Sequence, residues 1–143
     1  MKKFFTQMGA FIMISSLILS CGSSRRSIGI EEGWELLSEE KVNFVRDRDE
    51  IVVNNKRPYT ALRFKVEGRD VHLSDLTIHF DNGDKLEPNL DDDIAAGQYS
   101  RSIELGTEGK YINKIEFKYR TLGNVLKGRA NVLLFGERYD RNS

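Results

Sequence analysis

Apolar and charged side chains alternate one by one along Leu62-Arg63-Phe64-Lys65-Val66-Glu67 and again along Ile115-Glu116-Phe117-Lys118-Tyr119-Arg120. A period of two sends neighbouring side chains to opposite faces, so each run predicts a strand with one buried and one solvated face. Val132-Leu133-Leu134-Phe135 is apolar at every position and predicts a central strand covered on both faces, or one near the end of the barrel or sandwich core. Between such runs lie turn signals: Gly68-Arg69-Asp70, Asp81-Asn82-Gly83-Asp84, Gly97, Gly106-Thr107-Glu108-Gly109 and Leu122-Gly123-Asn124. Asn-Gly is a strong hairpin marker, because both positions tolerate positive φ. Glu35 to Val45 has mixed apolar spacing and reads as two extended pieces around Ser38-Glu39-Glu40-Lys41. No stretch has the period of a long amphipathic helix. The expected fold is all-β, an antiparallel β-sandwich of about seven to eight strands, with a small closed β-barrel as the alternative.

One irregularity carries information. Val71 and Leu73 face inward by parity, yet Leu76, Ile78 and Phe80 have the opposite parity. The chain must therefore slip by one residue at Ser74-Asp75, through a β-bulge or a short turn. His72 and His79 then both point outward. Along a straight strand they lie ~23 Å apart, too far to share a metal, so exposed strand histidines are the expected reading.

The first twenty residues follow a different pattern. Lys2 and Lys3 precede an apolar run from Phe11, which ends in Ile18-Leu19-Ser20-Cys21. A basic start, an apolar centre and small residues at a cut site make a secretory signal. Thr6, Gln7, Ser15 and Ser16 interrupt the run, whereas a retained membrane helix needs ~20 consecutive apolar residues. Cys21 is the only cysteine, and the segment resembles the bacterial lipobox, in which this thiol receives a thioether-linked diacylglycerol before cleavage. Residues 1–20 are thus expected to be a lipoprotein signal peptide, 21–30 a lipidated flexible tether, and 31–140 a single β-sandwich domain. The tether, Gly22-Ser23-Ser24-Arg25-Arg26-Ser27, has no apolar side chain to join a core. The absence of aspartate after Cys21 resembles the outer-membrane sorting pattern, so the expected location is the bacterial cell envelope, lipid-anchored at the outer membrane.

Charge narrows the partners. The chain carries 22 basic and 22 acidic side chains. With Lys2 and Lys3 removed, the remainder has a net charge of about −2 with histidines neutral. Such a balance leaves no electrostatic footprint for nucleic acid. The expected partners are the membrane, through the N-terminal lipid, and an envelope protein or glycan.

The acidic loops are the candidate site. Asp81 and Asp84 sit on a turn and Asp91, Asp92 and Asp93 in a loop with Pro88 and Asn89. Calcium takes six to eight such oxygen ligands, so these five aspartates are calcium candidates if the two groups converge, while solvated turn residues are the plainer reading. No other cofactor is expected. Gly-x-Ser-x-Gly, His-Glu-x-x-His and a phosphate loop with its lysine are all missing, and scattered carboxylates do not specify a glycosidase pair. No catalytic residue is assigned. Tyr59, Tyr99, Tyr111, Tyr119 and Trp34 suit a core more than a sugar-stacking platform. Arg101 shares inward parity with Ile103, and a semi-buried guanidinium needs a carboxylate partner. A structural ion pair with Asp47 or Asp49 is expected.

The succession Gly33-Trp34-Glu35-Leu36-Leu37, Asp47-Arg48-Asp49-Glu50-Ile51, Ala61-Leu62-Arg63-Phe64-Lys65-Val66, Leu76-Thr77-Ile78-His79-Phe80-Asp81-Asn82-Gly83, Ala96-Gly97-Gln98-Tyr99-Ser100-Arg101-Ser102-Ile103-Glu104-Leu105 and Ile112-Asn113-Lys114-Ile115-Glu116-Phe117-Lys118-Tyr119-Arg120 resembles a family of small exported bacterial domains of unknown function. The likeness spans about residues 33–136, and the order of its short motifs is what carries it. It implies a β-sandwich, often behind a signal peptide, with no established catalytic residues to transfer. The expected function is that of an envelope lipoprotein acting as a non-catalytic binding or structural module. The alternative is a small metal-dependent hydrolase or glycan-binding domain that uses the Asp81–Asp93 loops.

Overall fold

In the computed structural model the described residues are 29–42, 47–54, 56–123 and 128–141, with Asp47 described by its backbone alone. The segment read as a signal peptide, Cys21 and the tether up to residue 28 lie outside them. Among the described residues there are nine strands and no helix: β1 Trp34–Val42, β2 Asp47–Val52, β3 Pro58–Glu67, β4 Val71–Phe80, β5 Lys85–Leu86, β6 Asp91–Ile94, β7 Ile103–Glu104, β8 Lys110–Thr121 and β9 Ala130–Arg138. The two-residue strands β5 and β7 bring the number above the seven to eight expected, because two residues are too short to show any alternation.

All pairings are antiparallel and join the strands into one sheet in the order β1-β9-β3-β8-β4-β5, with β2 on β8, β6 on β4 and β7 on β3. The sheet folds over at a corner where β3 meets β8 through only two pairs, Pro58 with Tyr111 and Tyr59 with Lys110. One layer holds β1, β9, β3 and β7; the other holds β2, β8, β4, β5 and β6. It is an open antiparallel sandwich, not a closed barrel.

The alternating runs become β3 and β8, and their apolar faces meet between the layers. Leu62, Phe64, Val66, Ile115 and Phe117 are fully buried, and the Phe64 and Phe117 rings lie 5.6 Å apart in a tilted pair. Each such side chain contributes about 1.5–3 kcal/mol by leaving water. Gly136 on β9 is fixed by close packing: a Cβ there would stand 2.6 Å from the Tyr59 ring, so only glycine lets that buried ring cross the strand.

Two expectations need correction. The Glu35–Val45 stretch is not broken at Ser38–Lys41, since β1 runs unbroken to Val42 and absorbs its mixed spacing in a register shift between Leu36 and Ser38. Asp91–Asp93 do not form a loop either. They are the first three residues of β6, held in an extended edge strand because Leu90 and Ile94 are buried at its two ends.

Candidate functional site

The slip expected at Ser74-Asp75 is present and shapes the most distinctive surface feature. Asp75 has φ 50°, and the β4–β8 register shifts between Ser74 and Thr77. Aspartate is among the few side chains that occupy this left-handed region with modest strain. Here its carboxylate also pairs with Lys118 Nζ at 2.7 Å. The bulge keeps Val71 and Leu73 inward on one side of it and Leu76, Ile78 and Phe80 inward on the other.

The outer edge of β4 changes partner across this bulge. β6 pairs with Val71–Ser74 and β5 with Ile78 and His79. Between them the Glu87–Leu90 connection turns on a Leu90 N–H to Pro88 carbonyl bond of 2.8 Å and sinks Leu90 into the core. An open cleft of about 630 Å³ results, walled by Arg48, His72, Asp91 and Asn89 over a floor of Asp75 and Thr77.

Its charged groups are already committed to one another. His72 Nδ1 lies 2.6 Å from Asp93 Oδ1 and Nε2 lies 2.9 Å from Asp91 Oδ1. Only an imidazole carrying both ring protons can donate to both. On the same outer face, His79 Nε2 meets Glu116 Oε2 at 2.8 Å, and Lys114 Nζ meets Glu50 Oε2 at 2.9 Å. The hydrogen bond from His79 holds the Glu116 carboxyl below the usual carboxylate range; desolvation opposes it, and the positive charges of Lys114, His79 and Arg48 each add a smaller lowering. The hydrogen bond to Glu50 raises Lys114 in turn, against desolvation. In the core, burial first and the hydrogen bond to Glu35 second push the Tyr59 phenol above its ordinary range.

The five calcium candidates do not gather. Asp81 and Asp84 close the β4–β5 turn, where Asp81 faces Lys56 Nζ at 3.5 Å and Asp84 accepts from Asn82 Nδ2 at 3.0 Å. Asp91 and Asp93 flank His72 near the other end of β4, ~20 Å away along the strand. Among the described residues no three His, Cys, Asp or Glu side chains form a set suited to a metal ion.

Arg101 also differs from expectation. It lies outside β7, half exposed, with Nε 3.4 Å from Asp92 Oδ2 and a guanidinium N–H donated to the Asn89 carbonyl. Ile103 begins a strand only two residues long, so its parity does not extend back to Arg101. The arginine braces the cleft wall through Asp92, not through Asp49; the side chain of Asp47 lies outside the described residues.

The aromatic residues divide. Tyr59 and Tyr119 are core, while Tyr111 is half exposed. Trp34 and Tyr99 enclose Arg63, whose guanidinium carbon is 4.1 Å from one ring centre and 4.2 Å from the other. Arg63 Nη1 faces Glu31 Oε2 at 3.2 Å, and its buried Nε and Nη2 have no hydrogen-bond partner. Sequence reading missed this stack because Arg63 sits at an ordinary outward position of an alternating strand.

Residues 10–136 match the pattern of a domain of unknown function, DUF2541. The chain belongs to the DUF2541 family. No curated protein and no solved structure matches it. The DUF2541 match extends N-terminally past the strands to include Cys21 and the apolar run from Phe11.

Proposed function

We propose that this DUF2541 protein is a bacterial envelope lipoprotein: residues 1–20 direct export, Cys21 carries the lipid, and the β-sandwich acts as a non-catalytic binding module whose cleft beside the β4 bulge seats a partner. The observation that carries the binding reading is the state of that cleft. It is open, and its ionisable groups already contact neighbours: His72 lies between Asp91 and Asp93, and Asp75 pairs with Lys118. Asp91 occupies the His72 nitrogen that a hydroxyl nucleophile would need as its base. Such a site offers shape and hydrogen-bonding groups on a rigid scaffold, which is what recognition requires. Two chains of lipid hold a domain on a bilayer without help from an amphipathic helix.

Two measurements test this. Radiolabelled palmitate should enter the wild-type protein and be lost in Cys21→Ser; equal labelling of both sinks the anchor. A photo-crosslinking side chain placed at Asn89 in the cleft should capture a discrete envelope component that the same group at Glu39 on β1 does not. Equal capture at both positions sinks the cleft.

A further inference from the structure

Among the described residues the strand register gathers exposed large apolar side chains toward one end of the sandwich. Trp34 at the start of β1 pairs with Glu137 near the end of β9, and Arg138 pairs with Tyr59 at the start of β3. Tyr59 pairs with Lys110 at the start of β8; Ile112 then pairs with Phe80, the last residue of β4, and Lys114 with Val52, the last residue of β2. One end therefore collects the starts of β1, β3 and β8 and the ends of β2, β4 and β9. The large hydrophobic side chains exposed among the described residues are Ile30, Val52 and Tyr111, at 42, 55 and 49 %; Val52 and Tyr111 fall at this end by register, and Ile30 lies just before the β1 start that also belongs to it. The opposite end, formed by the Gly68–Asp70 turn and the Ala95–Gly97 turn, exposes none of them among the described residues.

The chain also enters the fold here. Ile30 lies just before β1, and the entering segment is pinned by Trp34 N–H to the Glu31 carbonyl at 3.1 Å and Arg138 N–H to the Gly33 carbonyl at 2.8 Å. The 28 residues that precede the described domain, Cys21 among them, therefore lead directly into this end. Charge there is mixed: Lys56, Arg57 and Lys110 stand among Glu31, Asp81 and Asp84, and Lys56 pairs with Asp81. A tyrosine and aliphatic side chains within a balanced ring of charges suit the head-group layer of a bilayer, where an apolar body and a polar tip are both accommodated.

We propose that this end is the membrane-facing surface of the domain and rests on the lipid head groups, with Val52, Tyr111 and Ile30 at the contact. In the cell this rests on the anchor reading above. Tethering supplies a high effective concentration, so a contact too weak to bind a bilayer alone is enough to set orientation. Because the charges balance, the contact should not require anionic lipid. The cleft beside Asp75 lies part-way up one side and stays open to a partner.

The test uses residues 21–143 with Cys21→Ser, which retains every described core residue because these begin at Val42, and an N-terminal histidine tag on phosphatidylcholine vesicles containing a nickel-chelating lipid. With the only native cysteine removed, a fluorophore is attached through Val52→Cys or, at the opposite end, Ala95→Cys. Lipid carrying a head-group quencher should quench the label at position 52 several-fold more than that at position 95. Tyr111→Asp with Ile30→Asp should erase the difference. Equal quenching at 52 and 95, or a preference unchanged by the two aspartates, overturns the proposal. Since the tag supplies attachment here, absence of palmitate at Cys21 in cells would count against the anchor alone.

Discussion

The outward faces of the two layers solve the same problem in opposite ways. On the β2-β8-β4 layer the outward positions, Val52 apart, are largely polar, and Glu50, Lys114, Glu116 and His79 follow one another in a lattice of contacts. On the β1-β9-β3 layer, Leu133 and Phe135 point outward and are nevertheless fully buried. Their cover is made of side chains: Phe135 lies between Leu36 and Arg63 in the register, and the Tyr99 ring packs on it edge-on at 5.8 Å. Arg63, held between Trp34 and Tyr99, forms the roof. The difference teaches that a strand apolar on both faces need not be central between two sheets; long amphipathic side chains can supply the second cover.

If that cover works as a small second core, its removal should cost what core removal costs. Phe135→Ala should lower stability by about 3–5 kcal/mol, within the range for a buried phenylalanine. Urea unfolding checks this, and a loss under ~1 kcal/mol would reduce the cover to surface decoration.

A smaller effect is expected at the roof. Arg63→Met keeps much of the side chain's length and removes two buried donors without partners, while giving up the stacking of the cation on two rings. These terms oppose each other, and the net change should stay within about 1.5 kcal/mol of zero. A loss of ~3 kcal/mol or more in the same unfolding assay would show that the charge itself holds the cover in place.

The smallest effect is expected on the polar face. Glu116 has its carboxyl held low in the folded protein by His79 and Lys114. Its stabilisation is therefore present above the unfolded carboxylate value of about 4.3 and is lost as pH falls through the lower folded value. Glu116→Gln should lower stability slightly at neutral pH, and that deficit should shrink as pH falls below about 4.3, flattening the acid side of the profile. An unaltered acid limb in urea titrations would remove Glu116 from the lattice.

How much was legible follows from the same contrast. Where one face is wet, alternation is plain, and β3, β8 and the slip at Asp75 could be read directly. A second slip, in β8, was written in the three-residue step from Ile112 to Ile115 but went unread; there Asn113 bulges out as the register shifts between His79 and Phe80. β6 was hidden because three successive aspartates look like solvated loop, and only His72 and Arg101, distant in sequence, make that strand reasonable. The Asn82-Gly83 turn formed where expected, with positive φ at Gly83 and not at Asn82. The cleft itself could not be seen, since it arises from what β5 and β6 leave uncovered.

The bulge at Asp75 also makes one codon dispensable to the interior. Ser74 pairs with Lys118 and Thr77 with Glu116, so Asp75 and Leu76 share the place opposite Phe117. Losing Asp75 would restore plain alternation with Val71, Leu73, Leu76, Ile78 and Phe80 still facing inward, and would cost the Lys118 contact and the shape of the cleft instead of the oily centre.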